Sequence, residues 1–294
     1  MKLINELLKK NNLRATSYEK IGNTVKVDTN NGKFIIKKSN DNQDIFNYLI
    51  TRNFNFYPDI IAHDNNYSIT KYINNINIPN EQKMNDLIKL VGLLHLKTTY
   101  YKELADSEFK KLYEDLSNNI VYLKDYYNDL ITIIDSKVFM SPPEYLLARN
   151  ISIIISSLNY TEDKINDWYK KISNNDKYRV SVIHNNLDLS HFIKNSNDYL
   201  ISWDKSKIDL PIFDLYKLYN KHALDFDFTD ILKKYESIYP LKDDELELFY
   251  ILISMPKKIE FNTNNYEMCK SIGRELDRIY KTNKLINEYK KINV

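Results

Sequence analysis

Val182-Ile183-His184-Asn185-Asn186-Leu187-Asp188-Leu189-Ser190-His191-Phe192-Ile193 is the stretch that decides the fold. It is a polar loop between two apolar runs, Arg179–Ile183 and Tyr199–Trp203, that read as short strands. Asp209-Leu210-Pro211-Ile212-Phe213-Asp214-Leu215 follows, and helical periodicity then runs to the end, broken at Pro240 and Pro256. Upstream the chain is helical too. Asn80 is expected to cap a helix whose apolar face is Met84, Leu87, Ile88, Val91 and Leu94. A long helix carries Phe109 through Leu130, Ser141-Pro142-Pro143 opens a third, and Thr161 is expected to cap a fourth bearing Ile165, Trp168 and Tyr169. The first sixty residues differ. A short helix (Leu3, Ile4, Leu7, Leu8) precedes strands at Thr24–Thr29 and Lys33–Lys38, joined by the hairpin signal Asn30-Asn31-Gly32. A helix over Asp41–Arg52 and a strand at Tyr67–Tyr72 complete this part, and the polar stretch Asn74–Asn80 separates it from the rest. The expectation is an α+β chain with a β-rich lobe at 1–73, a linker at 74–80 and a helical lobe at 81–294. A hairpin at 179–204 interrupts the helical lobe.

Composition excludes several function classes. The 294 residues hold 42 Lys+Arg against 40 Asp+Glu, and a net charge of +2 does not suit a general nucleic-acid grip. The longest apolar runs, Ile151–Leu158 and Leu248–Met255, are too short to span a bilayer. Met1–Arg14 carries Lys2, Glu6, Lys9 and Lys10 and does not read as a secretory leader. Cys269 is the sole cysteine, so neither an internal disulfide nor a multi-thiolate zinc site is available, and a cytoplasmic setting is expected. Only four glycines are present.

The segment from His184 to Asp214 resembles the core of the aminoglycoside phosphotransferase and choline kinase group, distant relatives of protein kinases. That group shows H-G-D-x-x-x-x-N, then an apolar strand leading to D-W-[ED], then D-P-x-x-D-L. Here the corresponding runs are His184 to His191, Ser202-Trp203-Asp204 and Asp209 to Leu215. Leu94-His95 resembles the group's Leu-His pair, and Phe34-Ile35-Ile36-Lys37 resembles the strand bearing its phosphate-binding lysine. The resemblance implies a two-lobe protein-kinase-like fold with ATP and Mg²⁺ as cofactors. It also implies a catalytic Asp that orients the substrate hydroxyl and hard oxygen ligands for the metal.

Residue by residue, this chain departs from that pattern. His184 matches the group's structural histidine. Asn186 stands at the catalytic Asp, and an amide cannot act as a base. His191 stands at the metal-binding Asn, where imidazole suits Mg²⁺ poorly, and Ser202 replaces the principal metal acid. Lys37, Asp204 and Asp214 are retained. Asp44 is the nearest acid to pair Lys37 from the following helix. Gly22-Asn23 is the only candidate phosphate loop, and it is short. Asp188 and Asp204 would form a shifted metal pair, since Asp204 would share a strand face with Ser202. Otherwise Asp188 caps a turn and Asp204 is a solvated strand-end acid.

His95 reads as a core histidine and Cys269 as inert. The tyrosines between Tyr113 and Tyr169 read as packing rather than as a substrate pocket. Two functions follow. One is a catalytically impaired pseudokinase that binds or scaffolds a small molecule or protein partner, with ATP and Mg²⁺ held weakly or not at all. The other is an active ATP-dependent small-molecule kinase with a non-standard metal site.

Overall fold

The computed structural model describes residues 2–38, 43–64, 67–103, 106–173, 177–261 and 264–292. The chain divides into two units, Met1–Thr99 with Ser181–Asp209, and Tyr100–Val180 with Leu210–Val294.

The first unit opens with helix α1 (Lys2–Lys10) and strands β1 (Ala15–Ile21), β2 (Thr24–Thr29) and β3 (Gly32–Lys38). Helix α2 (Gln43–Thr51) and strands β4 (Ile60–His63) and β5 (Tyr67–Lys71) follow, giving an antiparallel sheet ordered β1-β2-β3-β5-β4. The first two residues of the helix expected from Asp41 lie outside the described residues. Period-two alternation sorts the sheet's faces. Val27, Phe34, Ile36 and Ile69 turn to one side and pack with Ile4, Leu7, Leu8 and Leu13 in a single apolar cluster. Gly32 closes the β2–β3 turn with φ 115°, a conformation that favours glycine.

Helix α3 (Asn80–Thr98) buries Met84, Leu87, Ile88, Val91, Leu94 and His95, the face expected from its spacing. Asn80 does not cap it. The cap is Pro79, whose ring already holds φ at −55°, so Asn80 becomes the first helical residue. The later segment of this unit holds the hairpin β8 (Phe192–Lys194) and β9 (Asp198–Leu200). It also holds β10 (Lys207–Asp209), which pairs with Ser181–Ile183 of β7 (Lys177–Ile183).

In the second unit β6 (Tyr100–Glu103) pairs with the first half of β7. The rest is helical: α4 (Asp106–Asp135), α5 (Pro142–Ile172), α6 (Ile212–His222), α7 (Phe228–Glu236), α8 (Asp243–Ser254) and α9 (Asn265–Ile292). Helix α5 packs against α4, α8 and α9. Its start follows the sequence, with Ser141 at the cap and Glu144 accepting the Ser141 N–H at 2.7 Å. Its middle does not. Thr161 starts no new helix; it is buried within α5 and donates its hydroxyl to the Ser157 carbonyl at 2.8 Å. Of the tyrosines of this region, Tyr127 is buried and donates to the Lys257 carbonyl at 2.7 Å, Tyr113 stacks on Tyr169 at 4.4 Å, and Tyr122 and Tyr145 are exposed. Among the described residues, no helix is long and apolar enough to cross a membrane.

Candidate functional site

Strand β3 carries Lys37 on the sheet face opposite the α1 cluster, in register between Thr24 of β2 and Ser68 of β5. Ile35, two residues earlier on the same face, pairs with Thr70. These residues line a cavity of about 300 Å³ within the first unit. Its walls are largely apolar, with Ile21, Ile60, Tyr57, Tyr72, Ile193 and Ile201 contributing. Burial pushes the Tyr57 phenol above its ordinary value, with the Asp59 carboxylate adding to the shift, so it stays protonated.

Three predicted residues meet in this cavity: Lys37, Ser202 and Asp204. The Lys37 ammonium is ion-paired with the Asp204 carboxylate. The helix acid proposed for that role, Asp44, is instead exposed in the first turn of α2. The strand expected over Tyr199–Trp203 ends at Leu200. Ser202 then takes a left-handed backbone with φ 67°, and Trp203–Lys205 form a 3-10 turn. Ser202 and Asp204 therefore do not share a strand face. The chain reverses here because Trp203 is drawn into an aromatic cluster with Phe46, Phe54 and Tyr57, ring centroids 6.0–6.2 Å away. Its indole N–H reaches the Leu200 carbonyl at 2.8 Å.

The loop after β7 is ordered by its own polar groups. Asn185 stands in the left-handed region at φ 59° and donates its amide to the Lys205 carbonyl at 2.8 Å. His184 is fully buried, donates Nε2–H to the Ile201 carbonyl at 2.8 Å and meets Trp203 edge-on at 4.9 Å. His191 donates Nδ1–H to the Asn186 carbonyl at 2.7 Å. Asp188 caps the Leu189–His191 3-10 turn, accepting from the Ser190 N–H at 2.8 Å and its hydroxyl at 2.7 Å. That is the turn-capping role open to it from sequence. Burial lowers the Lys83 ammonium below the usual lysine range, and the Asp188 carboxylate opposes the shift. Asn186, Asp188 and His191 do not line the cavity. His95 is fully buried on α3, and Asp214 is fully buried on α6 of the second unit.

Residues 74–76 tie to the β8–β9 hairpin. Ile76 N–H donates to the Lys194 carbonyl at 2.7 Å, and Lys194 N–H donates to Asn75 Oδ1 at 2.9 Å. Lys194 Nζ also bridges Asp198 at 2.7 Å and Asp86 at 2.9 Å, and donating hydrogen bonds to these two carboxylates raises its pKa. This network holds β8, whose Ile193 lines the cavity. Sequence reading missed the cavity's apolar lining, as well as β1 and β4. The signal for Ile193 and Ile201 was present, since both are apolar residues at the ends of the hairpin runs.

Mg²⁺ needs several hard oxygen donors in near-octahedral array. Here the Asp204 carboxylate is engaged by Lys37 and that of Asp188 by Ser190. Ser202 offers only a hydroxyl and His191 a nitrogen. Among the described residues, no group of three His, Cys, Asp or Glu side chains is placed to hold a metal ion. The residues present do not fit the metal.

No family model matches the chain, and no curated protein matches it. Solved structures do match. An aminoglycoside phosphotransferase from Alicyclobacillus acidocaldarius is 10% identical, with a TM-score of 0.72 over 98% of this chain and 95% of that one. Spectinomycin phosphotransferase bound to AMP gives 12% identity and a TM-score of 0.55 over 99% and 94%. The choline kinase of Streptococcus pneumoniae gives 15% and 0.50 over 98% and 99%. At such identities the likeness speaks of fold alone, and by fold this chain stands with the aminoglycoside phosphotransferases and choline kinases, on the protein-kinase-like plan.

Proposed function

We propose that this chain is a phosphotransferase-fold protein with impaired catalysis, whose cavity beside Lys37 holds a nucleotide-class ligand and which works as a binding or scaffold protein. One observation carries the reading: the Lys37–Asp204 ion pair. It joins the residue expected to meet phosphate to the carboxylate retained from the expected metal site. Asn186, His191 and Ser202 add to it, since none supplies the base or the metal acid that phosphoryl transfer uses. The nucleotide part draws on the apolar cavity and on like-folded structures solved with AMP and with ADP.

The second reading, an active ATP-dependent small-molecule kinase with Asp188 and Asp204 as a shifted metal pair, draws on the phosphotransferases and choline kinases that share this fold. A phosphoryl-transfer assay with ATP, Mg²⁺ or Mn²⁺, and choline or aminoglycoside acceptors separates the two. No transfer above background, together with a nucleotide-dependent rise in Tm, is expected. Metal-dependent transfer that is lost in Lys37→Ala and in Asp204→Ala would overturn the impaired reading.

A further inference from the structure

Resting on the cavity reading above, we infer that its ligand is a nucleoside monophosphate bound without a divalent metal, rather than a metal–triphosphate complex. Charge is the first argument. Among the described lining residues the charged ones are Lys37, Lys38, Lys71 and Asp204, an excess of two positive charges. A phosphate monoester carries roughly −1.5 to −2 at neutral pH, which balances that excess. Each further phosphate adds roughly one more negative charge, which calls for a divalent cation, and no acid cluster to hold one is present among the described residues.

Backbone geometry is the second. A triphosphate is normally cradled by several successive backbone N–H groups in a loop rich in glycine. Strands β1 and β2 are joined by Gly22 and Asn23 alone, with Ile21 paired directly to Thr24. Gly22 takes φ 57° to make that turn, so its conformation is used to reverse the chain. Size agrees. A cavity of about 300 Å³ sits at the lower end of the roughly 300–1,000 Å³ range of ligand sites. Ile35, Ile193 and Ile201 offer a planar base apolar contact, while Thr24, Ser68 and Ser202 supply hydroxyls to the sugar and phosphate.

Asp204 takes a reversed role in this picture. In a metal–nucleotide site an acid here holds the cation, and its loss weakens binding. Here Asp204 competes with the ligand's phosphate for Lys37, so its loss strengthens binding.

Calorimetry on the full chain tests this with adenosine, AMP, ADP and ATP, each in EDTA and in Mg²⁺. AMP is expected to bind at least as tightly as ATP, with a Kd that changes by less than about twofold between EDTA and Mg²⁺. Asp204→Asn is expected to tighten AMP by about tenfold, the scale of one charge-assisted hydrogen bond, and Lys37→Ala to weaken it by about as much. Tighter binding of ATP than of AMP that is lost in EDTA, or weaker binding by Asp204→Asn, would overturn the inference while leaving a nucleotide cavity in place. Absence of binding by all four ligands would overturn the cavity reading itself. Should Asp204→Asn fail to fold, the EDTA comparison on the unmodified chain decides alone.

Discussion

Ser202 shows how one residue redirects a site. A serine here carries no charge, and its left-handed backbone, φ 67°, sets the direction of Trp203 and Asp204. Asp204 then finds Lys37, and the positive end of the cavity is closed by an internal ion pair. Asn186 contributes in the same sense, its backbone carbonyl taken by His191 and its amide unable to accept a proton. The joint substitution Asn186→Asp with Ser202→Asp introduces two carboxylates. It is expected to create Mg²⁺-dependent ATP binding, about tenfold tighter in Mg²⁺ than in EDTA by calorimetry. No gain would mean that the left-handed turn at 202 carries the new carboxylate away from the cavity.

At the scale of elements, two junctions turn on single residues. The β1–β2 turn depends on Gly22 at φ 57°, with nothing within 4 Å of the place a Cβ would occupy. Gly22→Ala therefore meets no clash and costs only the left-handed backbone, about 1–2 kcal/mol, measured as a lower urea midpoint with unchanged slope. The α5 start depends on Glu144, whose carboxyl is pulled down to about 2, first by the Lys137 ammonium and then by the Ser141 groups. A depressed carboxyl stabilises the fold above its unfolded pKa, near 4.5, and that contribution disappears as pH falls toward 2. The Tm gap between the unmodified chain and Glu144→Gln should thus be constant above about pH 4.5 and close near pH 2. Thr161 is the counter-example. Its residue type signals a cap, but the flanking apolar positions Ile154, Leu158, Ile165 and Trp168 stay buried on one continuous face, and packing overrides the local preference.

Within the second unit, Arg278 connects elements distant in sequence. Its guanidinium is buried, paired with Glu275, and donates to the carbonyls of Ile253 at 2.6 Å and Met255 at 2.9 Å. It thereby ties the C-terminal end of α8 to α9. Removing it leaves the buried Glu275 carboxylate without its cationic partner, with the Lys257 N–H still donating to it at 2.8 Å. Arg278→Ala is expected to cost about 3–5 kcal/mol in urea unfolding, well beyond the effect of a surface pair such as Lys171–Glu247.

The α+β plan, the β2–β3 hairpin, the apolar face of α3 and the α5 cap are legible in the sequence, because each rests on local periodicity or on a residue whose backbone preference is strong. The sequence also marked Asn186, His191 and Ser202 as departures from the resembling group's pattern, which side-chain type alone shows. Tertiary structure decided the rest. The partner of Lys37 lies 167 positions away at Asp204, and no local rule ranks it above Asp44. The faces of Ile193 and Ile201 depend on where the hairpin is pinned by Lys194, and the turn at Ser202 on an aromatic cluster drawn from α2 and residues 54–57. Long-range charge pairing and aromatic packing decide such points, and neither leaves a period in the chain.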